Sequence, residues 1–191
     1  MAKAVARKGD TRRPAKIVVT GPFGAGKTSL IQTISEIEVL STEKSVSDRD
    51  AGAKAGTTVA MDFGRLSIDD ELALYLFGTP GQQRFDFMWG ILAEGMLGFV
   101  VMIDATQDAS FDEAADILRF FSDVASVPFV VALNKTADAD APARARRRLA
   151  LVDDVRVITC DALDRASVKA VLLELLYAVL DDIAAQEPAA V

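Results

Sequence analysis

Apolar runs that stop at a glycine or a polar residue alternate along this chain with stretches of helical spacing. Lys16-Ile17-Val18-Val19-Thr20 is the first such run, ends at Gly21, and predicts a buried strand. Residues 28–37 put Leu30, Ile31 and Ile34 on one face of a helix. Residues 38–57 have no period and predict a long loop, a length that goes with function or disorder. Val59–Leu66 and Glu71–Phe77 predict a hairpin turning at Asp69-Asp70. Gly78–Gln83 is a loop, followed by a short helix near Phe85–Ala93. Leu97–Ile103 and Phe129–Leu133 are continuous apolar runs stopping at Asp104 and Asn134, the pattern of parallel strands covered on both faces. Phe111–Val124 is helical between them. A short helix in 137–150, a strand at Val155–Thr159 and an amphipathic helix at Ala166–Ile183 complete the series. Strand and helix in alternation predict one α/β domain with a mainly parallel sheet.

Composition narrows the chemistry. The chain has 191 residues, is 51% hydrophobic and 26% charged, and contains no histidine and one cysteine, Cys160. Histidine acid–base catalysis and histidine metal sites are therefore excluded. A single cysteine excludes an intramolecular disulfide and points to a reducing compartment. The net charge is −7, which disfavours broad binding to nucleic acid. Residues 1–16 run against it, with Lys3, Arg7, Lys8, Arg12, Arg13 and Lys16 opposed by Asp10 alone. The expectation is a solvated basic tail, with peripheral membrane contact as the alternative. No apolar run is long enough to span a bilayer, and the N-terminus has no apolar signal-peptide core. Ala2 rules out myristoylation, and Pro-Ala-Ala-Val at the end offers no prenylatable cysteine. A cytoplasmic protein is expected.

The most specific chemistry lies in Gly21-Pro22-Phe23-Gly24-Ala25-Gly26-Lys27-Thr28, which has the spacing G-x-x-x-x-G-K-S/T between a predicted strand and a predicted helix. Glycines let the backbone wrap phosphate oxygens, and successive N–H groups with the helix N-terminus point at the anion. Lys27 is placed to reach the β- and γ-phosphates, and Thr28 to offer its hydroxyl to Mg²⁺. Ser29 follows on the same turn. The loop implies a nucleoside triphosphate but not which base.

Further motifs follow in order. Thr57-Thr58-Val59-Ala60-Met61-Asp62-Phe63 succeeds the long loop, Thr79-Pro80-Gly81-Gln82-Gln83-Arg84 the third strand, and Asn134-Lys135 a later strand. With this set the chain resembles the Ras-like small GTPases over about residues 16–183. Within them it is similar to the prokaryotic branch that includes MglA and the GTPases encoded beside Roadblock-domain proteins in actinobacteria. The resemblance implies a P-loop G domain at 16–184, with a six-stranded, mostly parallel sheet and helices on both faces. A disordered basic tail at 1–15 and a frayed end at 185–191 would flank it. It implies GTP/GDP and Mg²⁺ as ligands and slow GTP hydrolysis. A Roadblock/LC7-domain protein is the implied activator.

Carried over by residue, the resemblance gives Thr58 to Mg²⁺ and to the γ-phosphate. It gives Gly81 N–H to the γ-phosphate and Gln82 to the attacking water. Gly21, Phe23, Gly24, Ala25, Gly26, Lys27, Thr28 and Ser29 hold phosphate. Asn134 and Lys135 flank the base, and a backbone N–H of Asp161-Ala162-Leu163 meets the guanine oxygen.

Three positions depart from the family pattern. Gly78 replaces the aspartate of D-x-x-G, so a weaker dependence of nucleotide affinity on Mg²⁺ is expected. Ala137 occupies the fourth position of N-K-x-D, leaving Asp138 or Asp140 as candidate base-reading acids. Phe23 stands where Ras itself has a small glycine, able either to crowd an incoming arginine or to shield the γ-phosphate, and Arg65 and Arg84 are possible internal fingers. The alternative reading is a nucleotide-binding scaffold or sensor with relaxed base selectivity and little hydrolysis. Asp62 and Asp104 read as structural or solvated, and Arg144, Arg146, Arg147 and Arg148 as a solvated helix face. Trp89 and Phe87 are core or a partner patch.

Overall fold

The computed structural model of the protein describes residues 12–41, 61–81 and 87–186. Among them the elements run β1 (Arg13–Thr20), α1 (Lys27–Ile34), β2 (Leu40–Ser41), β3 (Asp62–Ser67), β4 (Leu72–Gly78), α2 (Phe87–Ala93), β5 (Gly98–Asp104), α3 (Asp108–Val124), β6 (Phe129–Asn134), α4 (Ala141–Arg148), β7 (Arg156–Cys160) and α5 (Arg165–Gln186). The strands form one sheet in the order β2-β3-β4-β1-β5-β6-β7. The six expected strands are present, in a mostly parallel α/β sheet of the P-loop type. A two-residue strand, β2, extends the antiparallel edge.

Two boundaries move. β1 begins at Arg13, inside the segment expected to be tail, because Arg13, Pro14 and Ala15 continue the parallel ladder opposite Leu72, Ala73 and Leu74. α5 reaches Gln186, beyond the expected domain end at 184. Thr57, Thr58, Gln82, Gln83 and Arg84 lie outside the described residues, as do most of the basic tail and of the long loop.

Strand periodicity decides which face each side chain covers. Ile17 and Val19 enter one core layer with Leu30, Ile31 and Ile34 of α1 and with Val171 and Leu175 of α5. Val18 points the other way, into a layer with Phe111, Ile117 and Phe121 of α3 and Trp89 of α2. Trp89 is thus core, its ring stacked on Phe121 and edge-on to Phe120, whereas Phe87 on the same helix is exposed. β5 is buried along its whole length, as a strand with helices on both sides must be.

The chain crosses over at β1, whose neighbours are β4 on one side and β5 on the other. In such sheets ligands sit beyond the carboxyl ends of the parallel strands at the switch point. Gly21 follows β1 there, and Asp104, Asn134 and Cys160 end β5, β6 and β7.

Candidate nucleotide site

Two cavities meet at these strand ends. One, of about 270 Å³, is lined by Phe23, Lys27, Thr28, Asp62, Thr79 and Gly81 among others. The second, of about 470 Å³, is lined by Asn134, Lys135, Thr136, Ala137, Cys160, Asp161, Ala162 and Leu163. Gly24, Gly26 and Ser29 line both. The result is one cleft in two parts, hinged on the loop between β1 and α1.

The first part is built from backbone. α1 starts at Lys27 with Gly26 as its N-cap, so its free N–H groups face the cavity. Gly26 has φ 105°, and a Cβ there would stand 2.3 Å from Asn134 Nδ2. No other residue fits both demands. Lys27 is only 7% exposed, and its ammonium donates to Gly21 O (2.8 Å) and Pro22 O (2.7 Å). Its charge is thereby held inside the loop. Thr79, buried beside it, donates its hydroxyl to Thr20 (2.9 Å) and its N–H to Val19 O (2.9 Å), fixing the segment that carries Gly81 against β1. Phe23 stands at the mouth, 72% exposed.

The acid that Gly78 lacks comes from the neighbouring strand. Asp62 pairs with Gly78 across the β3–β4 ladder. A Cβ on Gly78 would lie 3.1 Å from Asp62 Cβ and 3.3 Å from its Oδ2. Asp62 is buried, and Thr28 Oγ1 donates to its Oδ2 at 2.5 Å. The expectation that this corner has lost its carboxylate is therefore corrected: the glycine makes room for one from β3. Asp62 was missed because its role depends on hairpin register, which only the cross-strand pairing reveals. A hydroxyl and a carboxylate side by side are hard oxygen donors of the kind Mg²⁺ takes, and one or two protein oxygens completed by phosphate suffice for that ion. The residues present fit it.

The second part is built from side chains. Asn134, buried at the end of β6, donates through Nδ2 to Ala25 O (2.9 Å) and accepts the Ala162 N–H on Oδ1 (3.2 Å). It ties the phosphate loop to the loop after β7. Lys135 follows with φ 63°, an arrangement rare for a residue with a side chain. Two bonds hold it there: its ammonium donates to Gly24 O (2.9 Å) and to Asp104 Oδ2 (2.7 Å). Asp104 also accepts from the N–H and hydroxyl of Thr106 and from Gln107. Burial pushes its carboxyl up, but the bonds from Lys135 and Thr106 outweigh that and leave it below the ordinary carboxylate range. Asp104 is therefore a positioning residue for Lys135.

The candidates for the missing base-reading acid are corrected. Asp138 Oδ1 accepts the Asp140 N–H (2.9 Å) and Oδ2 accepts from Arg144 (3.0 Å), and neither Asp138 nor Asp140 lines the cavity. Asp140 instead occupies the N-cap position of α4, with no side-chain bond to the helix. The Arg144–Arg148 segment is exposed at Arg147 and Arg148, as expected, but Arg144, Arg146 and Arg148 hold partners. Arg148 bridges Asp108 and Asp112 on α3, and Arg146 donates to the Val152 and Val155 carbonyls. Burial pushes the Cys160 thiol up to about 11, which marks it as packing rather than a nucleophile.

Another cleft, of about 530 Å³, lies at the opposite sheet end, around Pro128, Asp154 and Arg156. Arg156 there is spent on Glu174 and Asp181. None of the described motif residues lines it.

Comparison with known proteins agrees with the site. A family model described as a conserved hypothetical ATP binding protein matches residues 19–185. The chain belongs to that family. The match spans both parts of the cleft. The uncharacterized protein MJ1339 of Methanocaldococcus jannaschii is 30% identical over 129 residues, covering 65% of this chain and 72% of that protein. Translation initiation factor IF-2 of Chloroherpeton thalassium is 28% identical over 181 residues, 85% of this chain but 15% of the factor. The IF-2 of Dinoroseobacter shibae is 30% identical over 123 residues, 64% of this chain and 13% of the factor. The chain thus spans a small part of the initiation factors it matches. It is a P-loop nucleotide-binding protein. No helix among the described residues is long and apolar enough to cross a membrane.

Proposed function

We propose that this chain is a guanine-nucleotide switch that binds GTP with Mg²⁺ and hydrolyses it slowly to GDP and phosphate. One observation carries the reading: the phosphate cavity and the base cavity share Gly24, Gly26 and Ser29, so a single ligand with an anionic end and a planar end fits across them. Lys27 and the N-terminus of α1 would take the β- and γ-phosphates as charge and dipole. Thr28 and Asp62 would hold Mg²⁺, which when bound neutralises charge on the phosphate oxygens. Gly81, in the wall of the phosphate cavity, would turn its N–H to the γ-phosphate. Gln82 follows it directly in sequence and would orient water, and Thr58 would complete the metal and γ-phosphate contacts. A group that touches the γ-phosphate is ordered by the triphosphate and released after hydrolysis, the property a switch needs. The resemblance to the MglA-like branch supports signalling through a Roadblock/LC7-domain activator in the cytoplasm.

A second reading is favoured by Ala137, and by the family description, which names ATP. It is a nucleotide-binding scaffold with relaxed base choice and little turnover. Single-turnover phosphate release separates the two. The switch reading expects slow release from GTP, slowed about tenfold or more in Gln82→Leu with GTP affinity kept. Bound GTP that releases phosphate only at the buffer rate would support the scaffold. Failure of any nucleoside triphosphate to bind would sink both.

A further inference from the structure

We propose that Asp161 selects guanine over adenine, taking over the task that the fourth position of N-K-x-D no longer performs. The inference rests on the reading of the cleft as a nucleotide site. Guanine presents two adjacent donors, N1–H and the N2 amine, and one carboxylate accepts both. Adenine presents an acceptor at N1, which a carboxylate repels. A guanine site therefore needs one acid on the wall of the base cavity.

Ala137 is on that wall and has no acid to offer. Asp138 is turned away, its two oxygens taken by Asp140 N–H and Arg144. Among the described residues lining the base cavity, Asp161 is the one carboxylate. Its position follows from the sheet. Asn134 pairs with Cys160 across the β6–β7 ladder, so Asp161 leaves β7 directly beside the Asn134-Lys135 corner. Two bonds hold it: its N–H donates to Ser167 Oγ (2.9 Å), and its Oδ1 accepts the Leu163 N–H (2.9 Å). A carboxylate already held in place loses little freedom when a base docks, which favours discrimination. The Ala162 N–H is engaged by Asn134 Oδ1. The acid of this loop, rather than that backbone group, is then the part that reads the base.

The test uses the full chain freed of nucleotide, titrated calorimetrically with GDP, ADP and xanthosine diphosphate. The wild type should prefer GDP to ADP by about tenfold or more. Asp161→Asn should lose that preference, with GDP weakened, ADP no weaker than in the wild type and the thermal midpoint unchanged. It should also gain xanthosine diphosphate, because the amide donates to the carbonyl that xanthine carries at C2. Asp138→Asn should keep the wild-type preference. The inference is overturned if Asp161→Asn keeps the preference, if Asp138→Asn removes it, or if the wild type binds GDP and ADP alike. If no diphosphate binds at all, the reading of the cleft itself fails.

Discussion

The two halves of the cleft are built by different means. In the phosphate half the ligand-facing groups are mostly backbone: the loop from Gly21 to Gly26, the first turn of α1 and the segment around Gly81. In the base half they are side chains from the ends of β6 and β7, among them Asn134, Lys135 and Asp161. Two of these are already spent on scaffold, Asn134 on Ala25 and Ala162, and Lys135 on Gly24 and Asp104. A function made by backbone depends on spacing and tolerates side-chain change around it. A function made by one carboxylate can be moved to any neighbour whose Cβ faces the same space. On our reading both departures follow that rule, Gly78 with Asp62 in one half and Ala137 with Asp161 in the other.

The sharpest way to break the comparison is Lys27→Ala. Removing the ammonium that the loop encloses should weaken GTP and ATP alike by about 100-fold or more, read by calorimetry. Loss of one nucleotide and retention of the other would mean that the halves are not separable. Asp62→Asn comes next. If Asp62 stands in for the acid missing at Gly78, chelating Mg²⁺ should weaken GTP binding to the wild type about tenfold or more, and Asp62→Asn should abolish most of that difference. An unchanged Mg²⁺ dependence would remove Asp62 from the metal corner.

Smaller effects sharpen the base half. Asp104→Asn should release Lys135 from its left-handed corner and cost about 1–3 kcal/mol in urea unfolding. The acid limb of stability gives the sign. The Asp104 carboxyl is held below its ordinary value of 3.8. Its contribution is complete above that pH and is lost as pH falls through the lower, folded value. The gap between wild type and Asp104→Asn should therefore close in acid, and a gap that widens there would contradict the account. Smallest of all, Cys160 should resist iodoacetamide in the folded chain at pH 8, since a thiol pushed up to about 11 carries almost no thiolate there.

Much of the architecture was legible because it is periodic. The buried runs of β1, β5 and β6 and the faces of α1 and α5 were readable from apolar spacing, and the phosphate loop from its glycines. The start of β1 at Arg13 was not, since Arg13-Pro14-Ala15 lacks an apolar pattern and joins the sheet only through its pairing with β4. The arginines of α4 read as a solvated face because their partners Asp108, Asp112 and the carbonyls of Val152 and Val155 come from other segments. Asp138 and Asp140 are near the vacant position in sequence only. The fold sends both into the loop before α4 and leaves the wall of the cavity to a residue after β7.

The most direct test of the cleft as one guanine-nucleotide site is a calorimetric titration of the nucleotide-free chain with GTP and ATP, each in Mg²⁺ and in chelator. The account predicts GTP tighter than ATP by about tenfold or more, with both weakened by chelation. Equal binding of the two, or no binding of either, would contradict it.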